Sequence, residues 1–115
     1  MIDYKPQLVK ELQKAGLPIF YESFLNDKTQ YPCITYTEIN NADTLVGDTL
    51  SYSDVTFMIK VWASDIRTLS EKAIEIDRIM KPLGFRRLSS LEVFNNALFQ
   101  KVIKYKGTAK ELLNN

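Results

Sequence analysis

The sequence has no histidine and a single cysteine, Cys33, in its 115 residues. Histidine is the most frequent general base and a frequent metal ligand, so its absence argues against the common catalytic dyads and most metal sites. Cys33 has no histidine to activate it, and we expect a buried strand thiol rather than a nucleophile. One cysteine also excludes an intrachain disulfide. We therefore expect a protein without catalytic residues, cofactors or metals.

The sequence also lacks a large excess of positive or negative charge, and it lacks long apolar runs. Fifteen basic residues stand against fourteen acidic ones, a formal net charge of +1, which gives no long-range attraction to nucleic acid or anionic lipid. No apolar run approaches the roughly 18 residues of a membrane span. Asp3, Lys5 and Lys10 interrupt any signal-peptide core. We expect a protein made in the cytoplasm, with no membrane partner and no sequence readout of nucleic acid.

Clusters that carry chemistry are also absent. The four glycines stand far apart, at positions 16, 47, 84 and 107, and form no phosphate-binding loop or dinucleotide fingerprint. Asp43, Asp48 and Asp54 lie close in sequence, but nothing around them indicates a cleft, so we interpret them as solvated loop charges. Arg86 and Arg87 are interpreted as the solvated start of a strand. A small enzyme is therefore the functional class that the sequence favours least.

A strand followed by an amphipathic helix is the strongest pattern present. From 53 to 62 the odd positions are apolar, which is the period of a strand with one buried face. After Asp65, a suitable helix cap, apolar residues recur at steps of three and four. The buried side chains predicted from these two patterns are Val55, Phe57, Ile59, Val61, Ile66, Leu69, Ala73, Ile76, Met80 and Leu83.

Capping and turn residues predict the other elements. A first helix begins near Asp3 and ends at Gly16, which suits a left-handed position. Next come a short edge strand within 17–24, a strand over 32–39, a loop over 40–48, and a hairpin of 85–94 with 98–105 that turns at Asn95 and Asn96. These elements predict one α+β domain over 1–106, with a mobile loop at 40–49 and a C-terminal tail at 107–115. Its sheet is mostly antiparallel, with both helices packed on one face.

Two apolar features have no partner in this architecture. The even positions of the long strand form a mixed face that is either half covered by the chain itself or an interface, since Tyr, Trp and Met are enriched at interface cores. Leu45 and Val46 lie in the predicted polar loop and either fold back on the sheet or form an arm that a neighbour orders. The predicted subunit or partner interface consists of Leu45, Val46, Tyr52, Met58, Lys60 and Trp62.

Three segments together resemble a known family. The proline-led strand Tyr31-Pro32-Cys33-Ile34-Thr35-Tyr36, the aromatic-ended strand from Val55 to Trp62, and the helix exit Leu83-Gly84-Phe85 are similar to those of the tail-terminator and tail-to-head joining proteins of long-tailed phages and prophages. The resemblance extends from about Leu8 to Lys106. It implies a non-enzymatic tail-completion protein, located in the virion at the head–tail junction after synthesis in the host cytoplasm.

The resemblance also implies partners. Family members assemble into a ring, typically a hexamer, that caps the tail tube and docks to the head connector, so the expected partners are further copies of the chain, a tail tube protein and a head connector protein. The family supplies no motif residues that define a site. The alternative is a small monomeric binding module or inhibitor that acts on a single protein target through its exposed sheet face.

Overall fold

The computed structural model describes residues 1–47 and 49–110, without the side chains of residues 46, 49–51 and 110. Two α-helices and five strands follow one another within these ranges, and short 3-10 turns extend both helices and follow the first strand. The elements are α1 (Lys5–Leu12), β1 (Ile19–Tyr21), β2 (Cys33–Val46), β3 (Thr49–Ala63), α2 (Ile66–Met80), β4 (Arg86–Asn95) and β5 (Leu98–Lys110).

The five strands form one sheet in the order β1-β2-β3-β5-β4. β1 runs parallel to β2, while the pairs β2–β3, β3–β5 and β4–β5 are antiparallel. The expectation of a mostly antiparallel α+β fold is therefore confirmed. The predicted short edge strand is β1, which covers only the first part of β2.

The core lies between one face of the sheet and the two helices. All four odd positions predicted for β3 are fully buried, as are Leu69, Ile76 and Met80 of α2. Asp65 caps α2 as predicted, because its carboxylate accepts a 2.8 Å hydrogen bond from the Thr68 amide. Ile66 departs from the prediction, since its side chain is exposed at the first turn.

Helix α1 packs on the same side of the sheet. Leu8 and Leu12 are fully buried and belong to the same cluster as the core residues of β3 and α2. Gly16 ends this segment with a φ of 75°, the left-handed conformation that the sequence predicts. Ile2 and Tyr4, which the helical pattern does not identify, also join the core. We call this side the helix face and the other side the open face.

The predicted loop at 40–48 is wrong: β2 continues as a strand to Val46, and β3 begins at Thr49. The segment is rich in Asn and Asp, which are rare in strands, but Asn41 and Asp43 each bond to another part of the chain, while Asn41 Oδ1 is buried without a hydrogen-bond partner among the described residues. The Asn41 amide donates a 2.8 Å hydrogen bond to the Ile2 carbonyl, and Asp43 Oδ1 accepts one of 2.8 Å from Ser53. Of the predicted mobile segment 40–49, residue 48 lies outside the described residues.

Two boundaries in the C-terminal half also differ from the prediction. The turn of the last hairpin is formed by Asn96 and Ala97, with φ values of 51° and 63°, rather than by Asn95 and Asn96. β5 continues to Lys110, so residues 107–110 of the predicted tail pair with β3. Residues 111–115 of that tail lie outside the described residues.

Candidate interaction surfaces

The open face of β3 holds most of the predicted interface, and at one end it is bound to the chain's own residues. Trp62 Nε1 donates a 2.9 Å hydrogen bond to Oγ1 of the fully buried Thr35. Lys60 Nζ lies 2.9 Å from Glu22 Oε1 and 5.7 Å from the centre of the Trp62 ring. Thr35 completes the network by donating to the same Glu22 oxygen at 3.4 Å. Lys60 and Trp62 are therefore held in place by local contacts.

The segment between β1 and β2 supplies those contacts and partly covers this end of the open face. Glu22 comes from the 3-10 turn after β1, and the Tyr31 ring lies 6.4 Å from that of Trp62. Trp62 and Lys60 are half-buried as a result. Of the two alternatives for this face, partial cover by the chain itself applies at this end, because a cation, an indole and a buried hydroxyl need partners that the neighbouring segment provides.

The middle and far parts of the open face carry fewer local contacts. Met58 and Tyr52 are half-buried, and Met58 lies between Thr37 of β2 and Lys104 of β5 in the sheet register. Asp54 accepts a 3.3 Å hydrogen bond from Thr108 Oγ1 across the β3–β5 pair. The strands therefore bring Tyr52, Met58, Lys60 and Trp62 onto one face, in a row along β3.

Leu45 lies near the tip of the long β2–β3 hairpin and not in a loop. Its side chain is 58% exposed, which is high for leucine in a strand. The Val46 side chain lies outside the described part of the chain. Below the tip, Asp43 bonds to Ser53 and lies 3.1 Å from the terminal ammonium of Met1. The hydrogen bond from Ser53 lowers the pKa of Asp43, so this carboxylate has a structural role.

Strand β4 is an exposed surface that the sequence prediction missed. Every residue from Arg86 to Asn95 is exposed, including four apolar ones, because β4 is the last strand of the sheet. These residues are Leu88, Leu91, Val93 and Phe94, with exposures of 44%, 61%, 36% and 63%. The apolar residues of the predicted hairpin indicated a possible surface. Their exposure depends on the order of strands in the sheet, which a local sequence pattern does not predict.

The Cys33 thiol and a depression beside the turn after β1 are candidate sites of chemistry. Cys33 is fully buried, and burial raises the pKa of its thiol to about 11. A shallow depression of about 380 Å³ borders the turn after β1 and contains Lys28 among otherwise neutral lining residues. Within residues 1–47 and 49–110, no three Cys, Asp or Glu side chains come close enough to hold a metal ion. No helix of the described ranges is long and apolar enough to cross a membrane.

Comparison with known proteins identifies a likeness of fold. No protein-family model matches the sequence, and no curated protein matches it either. Among solved structures, the chain is similar to a chain from the virion of a native gene transfer agent particle. The TM-score is 0.63 at 11% identity, and the match covers 90% of this chain and 91% of the other. At this identity the match shows a common fold across nearly the whole length of both chains.

Proposed function

We propose that the protein is a structural subunit of a phage-like virion, and that it completes a tail as a ring between the tail tube and the head connector. The observation that carries this proposal is the full-length likeness to a chain of a virion particle. A shared fold alone does not fix a function. Here, however, it agrees with the resemblance of the three sequence segments to tail-completion proteins.

The surfaces of the chain suit a subunit of an assembly. A ring needs two different patches on each subunit, so that the front of one copy meets the back of the next. The chain offers the open face along β3, the exposed tip at Leu45, and the exposed strand β4. In this proposal the partners of these surfaces are other copies, the tail tube protein and the head connector protein.

The test uses tails made without this chain. Purified protein is added to such tails and to heads, and the mixture is studied by negative-stain electron microscopy and by counting joined particles. We expect a ring of density at one end of the tail and recovery of head–tail joining. Variant Met58→Asp probes the open face, and Ile74→Asp, on the exposed surface of α2, is its control.

Two outcomes contradict the proposal. The first is a chain that leaves tail ends bare and does not restore joining. The second is a chain that stays monomeric and binds one host protein at one-to-one stoichiometry, which favours the small binding module or inhibitor.

A further inference from the structure

The sheet has two unpaired edges within the described residues. β4 is the last strand, so the side of its ten residues away from β5 has no strand beside it. At the opposite edge, β1 pairs only with Ile34, Thr35 and Tyr36 of β2. Residues 37–46, the last ten of the fourteen in β2, therefore have a strand on one side only. We call these two segments the β4 edge and the β2 edge.

We infer that copies of this chain join edge to edge, with the β4 edge of one copy pairing antiparallel with the β2 edge of the next. The occupant of each edge is thus a second copy of the chain. This inference rests on the proposed ring, because it names the contact that would build it. The interaction is strand addition, in which main-chain hydrogen bonds extend the sheet from one subunit into its neighbour.

The directions of the strands suit a ring. β2 and β5 both run antiparallel to β3, and β4 runs antiparallel to β5, so β4 and β2 run in opposite directions within one chain. Rotation about a ring axis keeps the direction of each strand relative to that axis. The β4 edge of one copy therefore meets the β2 edge of the next in antiparallel orientation, and the same contact repeats at every subunit.

Each edge carries an exposed apolar side chain near each of its two ends. Leu88 and Phe94 are six residues apart on the β4 edge, and Ile39 and Leu45 are six residues apart on the β2 edge. All four are exposed. An antiparallel contact brings the Phe94 end of the β4 edge to the Ile39 end of the β2 edge and the Leu88 end to the Leu45 end, with β-bulges or similar irregularities at 87–89, 38–40 and 44–45 adjusting the exact register. Cross-strand apolar pairs of this kind stabilise a sheet.

The net charges of the two edges are opposite in sign, and neither edge contains lysine or proline. The β4 edge carries two arginines, at 86 and 87, against Glu92, whereas the β2 edge carries Glu38 and Asp43 with no basic residue. One of the acidic groups, Asp43, is also paired with the Met1 ammonium. Exposed edges of soluble proteins usually contain lysine or proline that prevents association. Neither segment contains either residue. Both edges do contain β-bulges or similar irregularities, at 87–89 in β4 and at 38–40 and 44–45 in β2, so the pairing uses the regular segments between them.

Self-pairing of β4 with β4 across a two-fold axis is the competing contact. It also matches Leu88 with Phe94, but it closes at a dimer and leaves Ile39 and Leu45 of the β2 edge uncovered. A ring needs both edges. The two arrangements are therefore separable by variants that block one edge at a time.

The experiment uses the full chain with a lysine on one edge. Leu91→Lys blocks the β4 edge, Ile39→Lys blocks the β2 edge, and Ile74→Lys on α2 is the control, because Ile74 is exposed to 55% and Leu91 to 61%. Sedimentation velocity over a concentration series gives the oligomeric state of each variant. We expect the wild type and Ile74→Lys to associate alike, and each edge variant alone to remain a monomer.

A mixture of the two edge variants is the decisive measurement. Each variant keeps one intact edge, so an equimolar mixture should form heterodimers and nothing larger. Hydrogen exchange of that mixture should show new protection of amides in 37–46 of the Leu91→Lys chain and in β4 of the Ile39→Lys chain. Dimers of Ile39→Lys alone, with no heterodimer in the mixture, would overturn the inference in favour of β4 self-pairing.

Different results would contradict this inference and the proposed function. If both edge variants form rings on tails and restore joining, the tail-completion role stands and the edge contact is wrong. If the wild type associates only on tails, the same variants are scored there by ring formation. A wild type that associates neither in solution nor on tails contradicts both.

Discussion

Tyr105 Oη donates a 2.9 Å hydrogen bond to Oδ1 of Asp77 and so joins strand β5 to helix α2. The Tyr105 ring is almost fully buried beneath the helix. Burial, together with the bond to the carboxylate, raises the pKa of Tyr105 above its ordinary value. The contact fixes the position of α2 over the sheet with a polar bond at the margin of an apolar core.

Replacing Tyr105 with phenylalanine tests this contact. The ring remains and only the hydroxyl is lost, so we expect the free energy of unfolding to fall by about 1 to 2 kcal/mol. Urea denaturation measures the change. Asp77→Asn keeps an acceptor for the hydroxyl and should cost less. If Tyr105→Phe is as stable as the wild type, the bond contributes nothing and α2 is positioned by apolar packing alone.

Gly107 and Phe85 form a second close contact in the core. A Cβ atom at Gly107 would lie 2.6 Å from Cδ1 of Phe85, whose ring is 5% exposed and packs 5.3 Å from that of Tyr4. Gly107→Ala should therefore force the ring out of place and lower the free energy of unfolding by about 1 to 3 kcal/mol. Thermal and urea unfolding measure the loss.

The neighbouring strand position and a smaller partner provide the controls for Gly107. Thr108→Ala, on the open face, removes only the exposed hydrogen bond to Asp54 and should lower the free energy of unfolding by no more than about 1 kcal/mol. In the double variant Gly107→Ala with Phe85→Leu, the two losses should not add, because the smaller side chain leaves room for the methyl group. Simple additivity would show that the alanine acts through the backbone and not through the ring.

The parts of the fold that follow a regular period were predictable from sequence. The buried positions of β3 and α2, the Asp65 cap and the Gly16 helix end depend on local geometry, and a local pattern reports them. The strand segment 40–46 was not predictable in that way. Asn41 bonds to Ile2 and Asp43 bonds to Ser53, contacts between separate parts of the chain that composition does not report, so composition alone indicated a loop.

The candidate surfaces were predictable only in part, for a related reason. Alternation along β3 placed Met58 and Trp62 on the face away from the helices, as the structure has them. It gave no sign that Glu22 approaches Lys60 or that Tyr31 approaches Trp62, because those contacts depend on the segment after β1. The exposure of β4 depends on the order of strands in the sheet. The role of the predicted interface residues stays a prediction.

Cys33 provides a test of burial through its chemistry. Its thiol is fully buried, and its pKa is raised to about 11 by loss of solvation. Thiol reagents act on the thiolate, so labelling of the native chain at pH 8 should be slow and limited by opening of the fold. The urea-unfolded chain is the control and should react at once. Equally rapid labelling of the folded chain would show that this end of the sheet is open to solvent.

The raised pKa of Cys33 determines the direction in which the stability of the fold changes with pH. The folded thiol ionises above the ordinary value of 9.0, at about 11, so the unfolded chain loses its proton first as pH rises. The contribution of Cys33 to stability is therefore complete below pH 9 and is lost between about 9 and about 11. The raised pKa of Tyr105 lowers stability in the same direction, at higher pH. Urea unfolding at several alkaline pH values should show a smaller decline for Cys33→Ala than for the wild type.

Substitutions at Phe57 and Trp62 compare how tightly the two faces of β3 are packed. Phe57 is fully buried on the helix face, where its ring lies 6.0 Å from that of Phe85, and Phe57→Ala should lower the free energy of unfolding by about 3 to 5 kcal/mol. Trp62 is half-buried on the open face and donates its indole N–H to Thr35, so Trp62→Ala should cost roughly 1 to 3 kcal/mol.

Trp62→Phe separates the hydrogen bond of Trp62 from its packing. It keeps an aromatic ring on the open face and removes the N–H donor together with the five-membered ring of the indole, so it should recover part of the loss seen with Trp62→Ala. Calorimetry and urea unfolding of the three variants measure these differences. Because the helices cover only one face of β3, the ranking of Phe57→Ala above Trp62→Ala is a direct consequence of the fold. An equal loss in both would mean that the Trp62 side is packed as tightly as the helix face and has no room for a partner.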